Sequence, residues 1–120
     1  MIIEAHLINY LTSQTLSVGS NVYAERPSEL PPAYLVIEKT DSDTENMITT
    51  STVAVQSCVD SMQGGELLDA MALNEEVKAA MAGYQAESDI VLVALNSDYN
   101  YTDDSTKVYR YQAIYQITHY

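Results

Sequence analysis

The end of the chain constrains the fold most. Tyr109, Tyr111, Ala113, Tyr115 and Ile117 alternate with Arg110, Gln112, Gln116 and Thr118. A period of two sends each set to its own side of a strand, so one face is packed and the other wet. Ile114 is the exception on the wet side. With that facing, Tyr109, Tyr111 and Tyr115 are expected in the core, their hydroxyls reaching its edge.

The cover for the apolar face comes from two helical patterns. Ile3, Leu7, Tyr10 and Leu11 recur at helical spacing and predict a helix over residues 2–16, with Glu4 in the first turn complementing the helix dipole. The turn-forming run Ser17-Val18-Gly19-Ser20-Asn21 ends it. Glu66 to Met81 predicts the second helix, with Leu67, Ala70, Met71, Val77, Ala80 and Met81 on one face and Gly83 as its stop. Asn74 interrupts that face and is a possible N-cap, yet one helix is favoured over two.

Three further strands are readable. Ala33 to Lys39 alternates, and Thr52 to Val59 places Val53, Val55 and Val59 opposite Thr52, Gln56 and Cys58. Asp89 to Leu95 is nearly all apolar and reads as a buried strand. Val22-Tyr23 is a short extended piece. Arg26 to Pro32 holds three prolines and reads as an extended arm, because proline removes amide donors. Asp41 to Ser51 is polar and acidic, either a loop or the end of a long hairpin, with Met47 and Ile48 its only large apolar residues. Residues 96–106 read as a strand running out into an exposed hairpin tip. The expected architecture is α+β in the order α-β-β-α-β-β, an antiparallel sheet with two helices packed on one face. At 120 residues the chain is one domain, residues 1–120. Area scaling has it burying about two thirds of its unfolded surface.

Charge narrows the partners. Seventeen acids against five bases give a net charge of −12. Gripping nucleic acid needs clustered Lys and Arg, and docking on an anionic membrane needs the same, so both are disfavoured. A single Cys excludes an internal disulfide framework. No apolar run is long enough to span a bilayer, and the start MIIEAHLINY lacks the pattern of a secretory signal, so the chain reads as soluble and cytoplasmic.

Catalytic and metal patterns fail on spacing. Ser57 and Cys58 lie in a strand without a glycine-rich elbow, so Cys58 reads as a small buried hydrophobe. His6 and His119 stand apart from any ligand motif. Asp41-x-Asp43-x-Glu45 opens like a calcium loop, but Asn46 and Thr52 occupy the positions that need Gly and Glu. Gly64-Gly65 is no phosphate cradle. No cofactor or metal is expected. The tyrosines say more: six of ten fall between residues 99 and 120. Tyr99 and Tyr101 have Asp, Asn and Ser for neighbours, and tyrosine on a polar hairpin suits an interface.

Several local patterns together carry a resemblance. The amphipathic first helix is followed by Val22-Tyr23, Pro27 and Leu30-Pro31-Pro32-Ala33 leading into Tyr34-Leu35-Val36. A Val-rich strand then passes through a short break into an Ala- and Leu-bearing helix, and the chain closes on Val108-Tyr109-Arg110-Tyr111-Gln112-Ala113-Ile114-Tyr115-Gln116-Ile117. This order resembles the small tail-terminator (tail-completion, head–tail joining) proteins of long-tailed bacteriophages. Cys58-Val59-Asp60, without an aromatic, and Gly64-Gly65 depart from the family pattern.

The resemblance implies a virion protein at the tail top, assembled in the host bacterial cytoplasm. It implies a homo-oligomeric ring of about six copies that ends tail-tube polymerisation, with heterologous contacts between copies. The implied partners are other copies, the tail-tube protein and the head–tail connector or neck protein. Genomic DNA would pass through the lumen without specific binding, past inward-facing carboxylates. The candidate contact residues are Arg26, Pro27 and Pro31 in the arm; Asp41, Asp43, Glu45, Met47 and Ile48 in the acidic segment; and Tyr99, Tyr101, Asp103, Asp104 and Lys107 around the last hairpin. The competing readings are a head-side neck or stopper protein, a small ligand-binding or regulatory α+β domain with a tyrosine-lined cavity, and, least favoured, a hydrolase or metal enzyme.

Overall fold

The computed structural model describes residues 1–120. Its elements run α1 (Ile3–Ser13), β1 (Val22–Tyr23), β2 (Ala33–Glu45), β3 (Ile48–Asp60), α2 (Leu67–Met81), β4 (Ile90–Asn100) and β5 (Val108–His119), with single 3₁₀ turns at Ser61–Gln63 and Tyr84–Ala86. The strands form one sheet in the order β1-β2-β3-β5-β4. All pairs are antiparallel except β1 with β2, which is parallel. The fold is α+β as expected, and the short piece Val22–Tyr23 is its fifth strand.

Both helices pack on one face. Ile3, Leu7, Tyr10 and Leu11 of α1 and Leu73, Val77 and Met81 of α2 bury against Leu35, Ile37, Val53, Val55, Ala113, Tyr115 and Ile117. α1 stops at Ser13, short of the expected end, where Thr12 Oγ1 and Ser13 Oγ donate to the carbonyls of Ile8 and Tyr10. Hydroxyls that bond the preceding turn in this way compete with the helix ladder. α2 is one helix, opened by the Asp69 carboxylate accepting from the Glu66 N–H at 2.9 Å. Its buried line is Ala70, Leu73, Asn74, Val77 and Met81. The expected face holds at Ala70, Val77 and Met81, but Met71 is exposed, and Leu73 and Asn74 lie inside the buried stripe.

The acidic segment is the far end of a long hairpin. β2 and β3 pair out to Glu45 and Ile48, and Asn46 and Met47 make the turn with φ of 51° and 66°. A two-residue turn with both φ positive matches strand twist, but a non-glycine residue held there costs about 1 kcal/mol. A bulge between Lys39 and Asp41 shifts the register, so Asp41, Asp43 and Glu45 pair with Thr52, Thr50 and Ile48. Those β3 positions point away from the helices, and Glu38, opposite Ala54, joins the same row.

Two burial expectations are corrected. Asp89 to Leu95 is the edge of the sheet, with Val91, Leu92 and Leu95 substantially exposed. Its run without alternation reflects bulges between Ile90 and Leu92 and between Leu95 and Ser97 rather than burial on both faces. Tyr109 and Tyr111 are only half-buried. The register sets Tyr111 between Ser57 and Asn100, and leaves Tyr109 with Val59 alone, so core neighbours begin at Ala113.

Gly64-Gly65 has a packing reason. Gly64 takes φ +85° after the first 3₁₀ turn. A Cβ on Gly65 would lie 2.0 Å from Val59 Cγ1 and 3.0 Å from the Asp60 carbonyl oxygen. The pair lets α2 start against the end of β3.

Candidate functional site

The register sorts the candidate residues to opposite ends of the sheet. Asp41, Asp43, Glu45, Met47 and Ile48 lie at the β2–β3 turn, near His119 and the start of β4. Arg26, Pro27 and Pro31, and Tyr101 to Lys107, lie at the end where Ala33, Asp60 and Val108 meet. Asp41, Asp43, Glu45 and Met47 are exposed and Ile48 half-buried.

The arm is tied down. Leu30 packs on Tyr34, Val36, Cys58 and Val108, a small cluster on the face opposite the helices. The Leu30 carbonyl accepts from Gln63 Nε2 at 2.9 Å and the Pro32 carbonyl from the Asp60 N–H at 2.9 Å. Pro27 and Pro31 are half-buried, whereas Arg26 is exposed. Burial pushes the Tyr34 hydroxyl and the Cys58 thiol each up to about 12, against the opposing charges of Arg26 and Arg110. Cys58 is thus a protonated, buried thiol, as its lone position in a strand suggested.

Around the last hairpin, Tyr99 belongs to β4 rather than to the tip. Its hydroxyl accepts from Gln112 Nε2 at 2.7 Å, and Gln112 Oε1 in turn accepts from Gln56 Nε2 at 2.9 Å. This polar line crosses β3, β5 and β4 on the open face. Tyr101 stands edge-on to Tyr99 at 6.1 Å, with the Arg110 guanidinium 5.4 Å from its ring centre. Arg110 Nε is buried without a hydrogen-bond partner. Asp103 Oδ1 accepts from the Ser105 N–H and hydroxyl, which holds its carboxyl below the ordinary range. Asp104 and Lys107 are exposed, and the Lys107 carbonyl accepts from Ser61 at Lys107's φ of 60°.

The two histidines are structural. His6 Nδ1 lies 2.7 Å from the Tyr84 hydroxyl and His119 Nε2 lies 2.8 Å from Ser51 Oγ. No three His, Cys, Asp or Glu side chains gather as a metal-holding group. No helix is long and apolar enough to cross a membrane.

In overall shape the chain matches a chain of a solved structure described as "Virion of native gene transfer agent (GTA) particle". The TM-score is 0.72 at 15% identity, over 98% of this chain and 93% of that one. The likeness fixes the fold at the level of the whole domain. No family model matches the sequence, and no curated protein matches it.

Sequence reasoning missed one surface. Leu95 and Val93 of β4, Lys78 and Met81 of α2 and Ala82 just past its end line a hollow of about 210 Å³ floored by Tyr115. Tyr115 is 2% exposed, and its hydroxyl has no partner in the chain. The apolar run Asp89 to Leu95 is this surface's signal in the sequence, and the edge position of β4 is what leaves that run uncovered.

Proposed function

We propose that this chain is a virion structural protein of the tail-terminator kind. It forms a closed ring of about six copies at the top of a long phage tail. There it ends tail-tube polymerisation and joins the tail to the head connector, acting through contacts alone. The observation that carries the reading is the whole-length match in shape to a chain of a virion particle. The proline arm, the second helix after its short break and the tyrosine-bearing last strand support it.

The charge distribution supports the DNA passage. Glu38, Asp41, Asp43 and Glu45 form one exposed row on the sheet face that no helix covers. Facing a bore, such a row repels phosphate within a Debye length of about 8 Å and keeps the duplex from sticking. Light scattering on the purified chain followed by negative-stain imaging tests the reading. A closed ring with an acidic bore is the expected result. A chain solitary at every concentration overturns the ring, and a neutral or basic bore overturns the lining.

A further inference from the structure

Each edge of the sheet is covered over one part of its length and open over the rest. β1 lies on β2 only at Leu35 and Val36, so residues 39–45 have no strand on their outer side. At the other edge Gln85 Oε1 accepts from the Val93 N–H at 3.2 Å and caps the first half of β4. Residues 95–100 beyond it have no strand on their outer side either. Long open edges are templates for another chain. The Val93 N–H points away from β5, and the Leu35 N–H, which donates to the Asn21 carbonyl, points away from β3. Antiparallel alternation, counted through the register, then turns the backbone groups of Leu95, Asp98 and Asn100 outward on β4. It turns those of Lys39, Ser42 and Thr44 outward on β2.

We propose that residues 39–45 of one copy pair antiparallel with residues 95–100 of the next, so that the sheet continues around the ring. The proposal rests on the ring reading and supplies its contact, a heterologous one. β2 and β4 run in opposite directions, so copies in one orientation bring them together antiparallel. Within a copy, Leu95 is level with Lys39 through Tyr115 and Val53. Laying one open stretch on the other therefore staggers neighbouring copies by about four residues. Leu95 then meets Thr44, Asp98 meets Ser42 and Asn100 meets Lys39, outward groups against outward groups. An even stagger also leaves every side chain on its own face. The strands β2 to β5 are about 19 Å wide together and the stagger is about 13 Å, a tilt of about 35°, at the low end of what closed barrels use. At about six copies the barrel is about 45 Å across at its backbone. Pairing uses backbone groups alone, so Glu38, Asp41, Asp43 and Glu45 keep their row on the open face, which becomes the inner wall. Both helices stand outside it.

The test uses the full chain and three variants. Ser42→Pro removes one outward N–H at an exposed edge position, where proline is tolerated. It is expected to weaken self-association about tenfold or more by light scattering, with a urea midpoint close to that of the wild type. Asp43→Cys with Ser97→Cys joins two exposed positions that the stagger sets opposite each other. Asp43→Cys with Leu92→Cys joins two positions that are level within one copy, through Thr50 and Thr118. In either pair the two cysteines of one copy lie three strand spacings apart, about 14 Å, too far for a disulfide within the chain. Under mild oxidation the Ser97 pair is expected to give a ladder of linked copies and the Leu92 pair none, Cys58 staying silent in its buried site. A ladder from the Leu92 pair instead overturns the stagger and the contact with it. If the wild type assembles and neither pair gives a ladder, the contact is wrong and the ring stands; this holds whether or not Ser42→Pro folds. A folded Ser42→Pro that assembles as well as the wild type overturns the contact as well. A wild type that stays monomeric at millimolar concentration and low salt removes the ring reading and the contact together.

Discussion

The side-chain amide of Asn74 donates to the Asp98 carboxylate at 2.9 Å, tying the middle of α2 to the edge strand β4. Lys78 Nζ reaches the same carboxylate at 3.1 Å, and its bonds to Glu75 and Asp98 hold its proton above the ordinary lysine range. The half-exposed ion pair contributes little by itself. The buried amide matters more, because Asn74 is 1% exposed and loses its acceptor in Asp98→Ala. That variant is expected to lose about 1–3 kcal/mol in urea unfolding. Asp98→Asn, which keeps an acceptor, should lose less.

Tyr84 and Tyr115 are both buried phenols, with opposite expectations for removal of the hydroxyl. The Tyr84 hydroxyl meets His6, and its ring tilts against Tyr10 at 4.8 Å. Tyr84→Phe should cost about 1 kcal/mol. The Tyr115 hydroxyl has no partner in the chain, so Tyr115→Phe in the monomer should be neutral or stabilising. Urea curves on the two variants decide it; equal losses would mean that the Tyr115 hydroxyl is satisfied.

Gly65→Ala should be the harsher of two neighbouring glycine substitutions. Its Cβ would meet Val59 Cγ1 at 2.0 Å and the Asp60 carbonyl, which requires a shift between β3 and the start of α2. The expected loss is about 1–3 kcal/mol, as for overpacking. Gly64→Ala meets no atom within 4 Å and should lose only about 1 kcal/mol, from its positive φ. Thermal melts of the two variants would show the difference.

Much of the fold was legible because period-two and helical patterns survive burial on one face. Ala113, Tyr115 and Ile117, like Ile3, Leu7 and Leu11, are where periodicity put them. The failures share a cause: neighbours set by topology are invisible to local pattern. Tyr111 alternates correctly, yet Ser57 and Asn100 beside it leave it half-buried. The run Val91 to Leu95 is apolar enough for a central strand but lies at the edge. Asn74 looked like a break because its partner, Asp98, is 24 residues away. The candidate contact residues are named from residue type alone, and their division between the two ends of the sheet comes only with the register.

Tyr99 and Tyr101 stack edge-on at 6.1 Å, yet only the Tyr99 hydroxyl bonds to the sheet. Tyr99→Ser removes the acceptor for Gln112 on the open face, so monomer stability should fall by about 1 kcal/mol. Tyr101 makes an exposed stack with Arg110, and Tyr101→Ser should cost the monomer no more than about 1 kcal/mol. If Tyr101 anchors a neighbouring subunit, its loss should weaken assembly by about 2 kcal/mol or more. Paired urea and light-scattering measurements on each variant separate the two roles.

Alkaline pH should destabilise the chain through its buried phenols and thiol. Desolvation raises Tyr34 and Cys58 to about 12 from ordinary values of 10.0 and 9.0, and also raises Tyr84, Tyr115 and Tyr10. In each case the unfolded chain gives up its proton at lower pH than the folded one. Above pH 9 the unfolded state therefore binds fewer protons, and the free energy of unfolding falls with rising pH. The stabilisation is complete below the unfolded values and is lost as pH climbs through 10 toward 12 and beyond. Urea midpoints should be flat in this respect up to about pH 9 and then drop steeply. Phenolate absorbance should rise in two stages, exposed tyrosines first and the buried set only with unfolding. A single smooth titration near pH 10 with the fold intact would show that Tyr34, Tyr84 and Tyr115 are open to water.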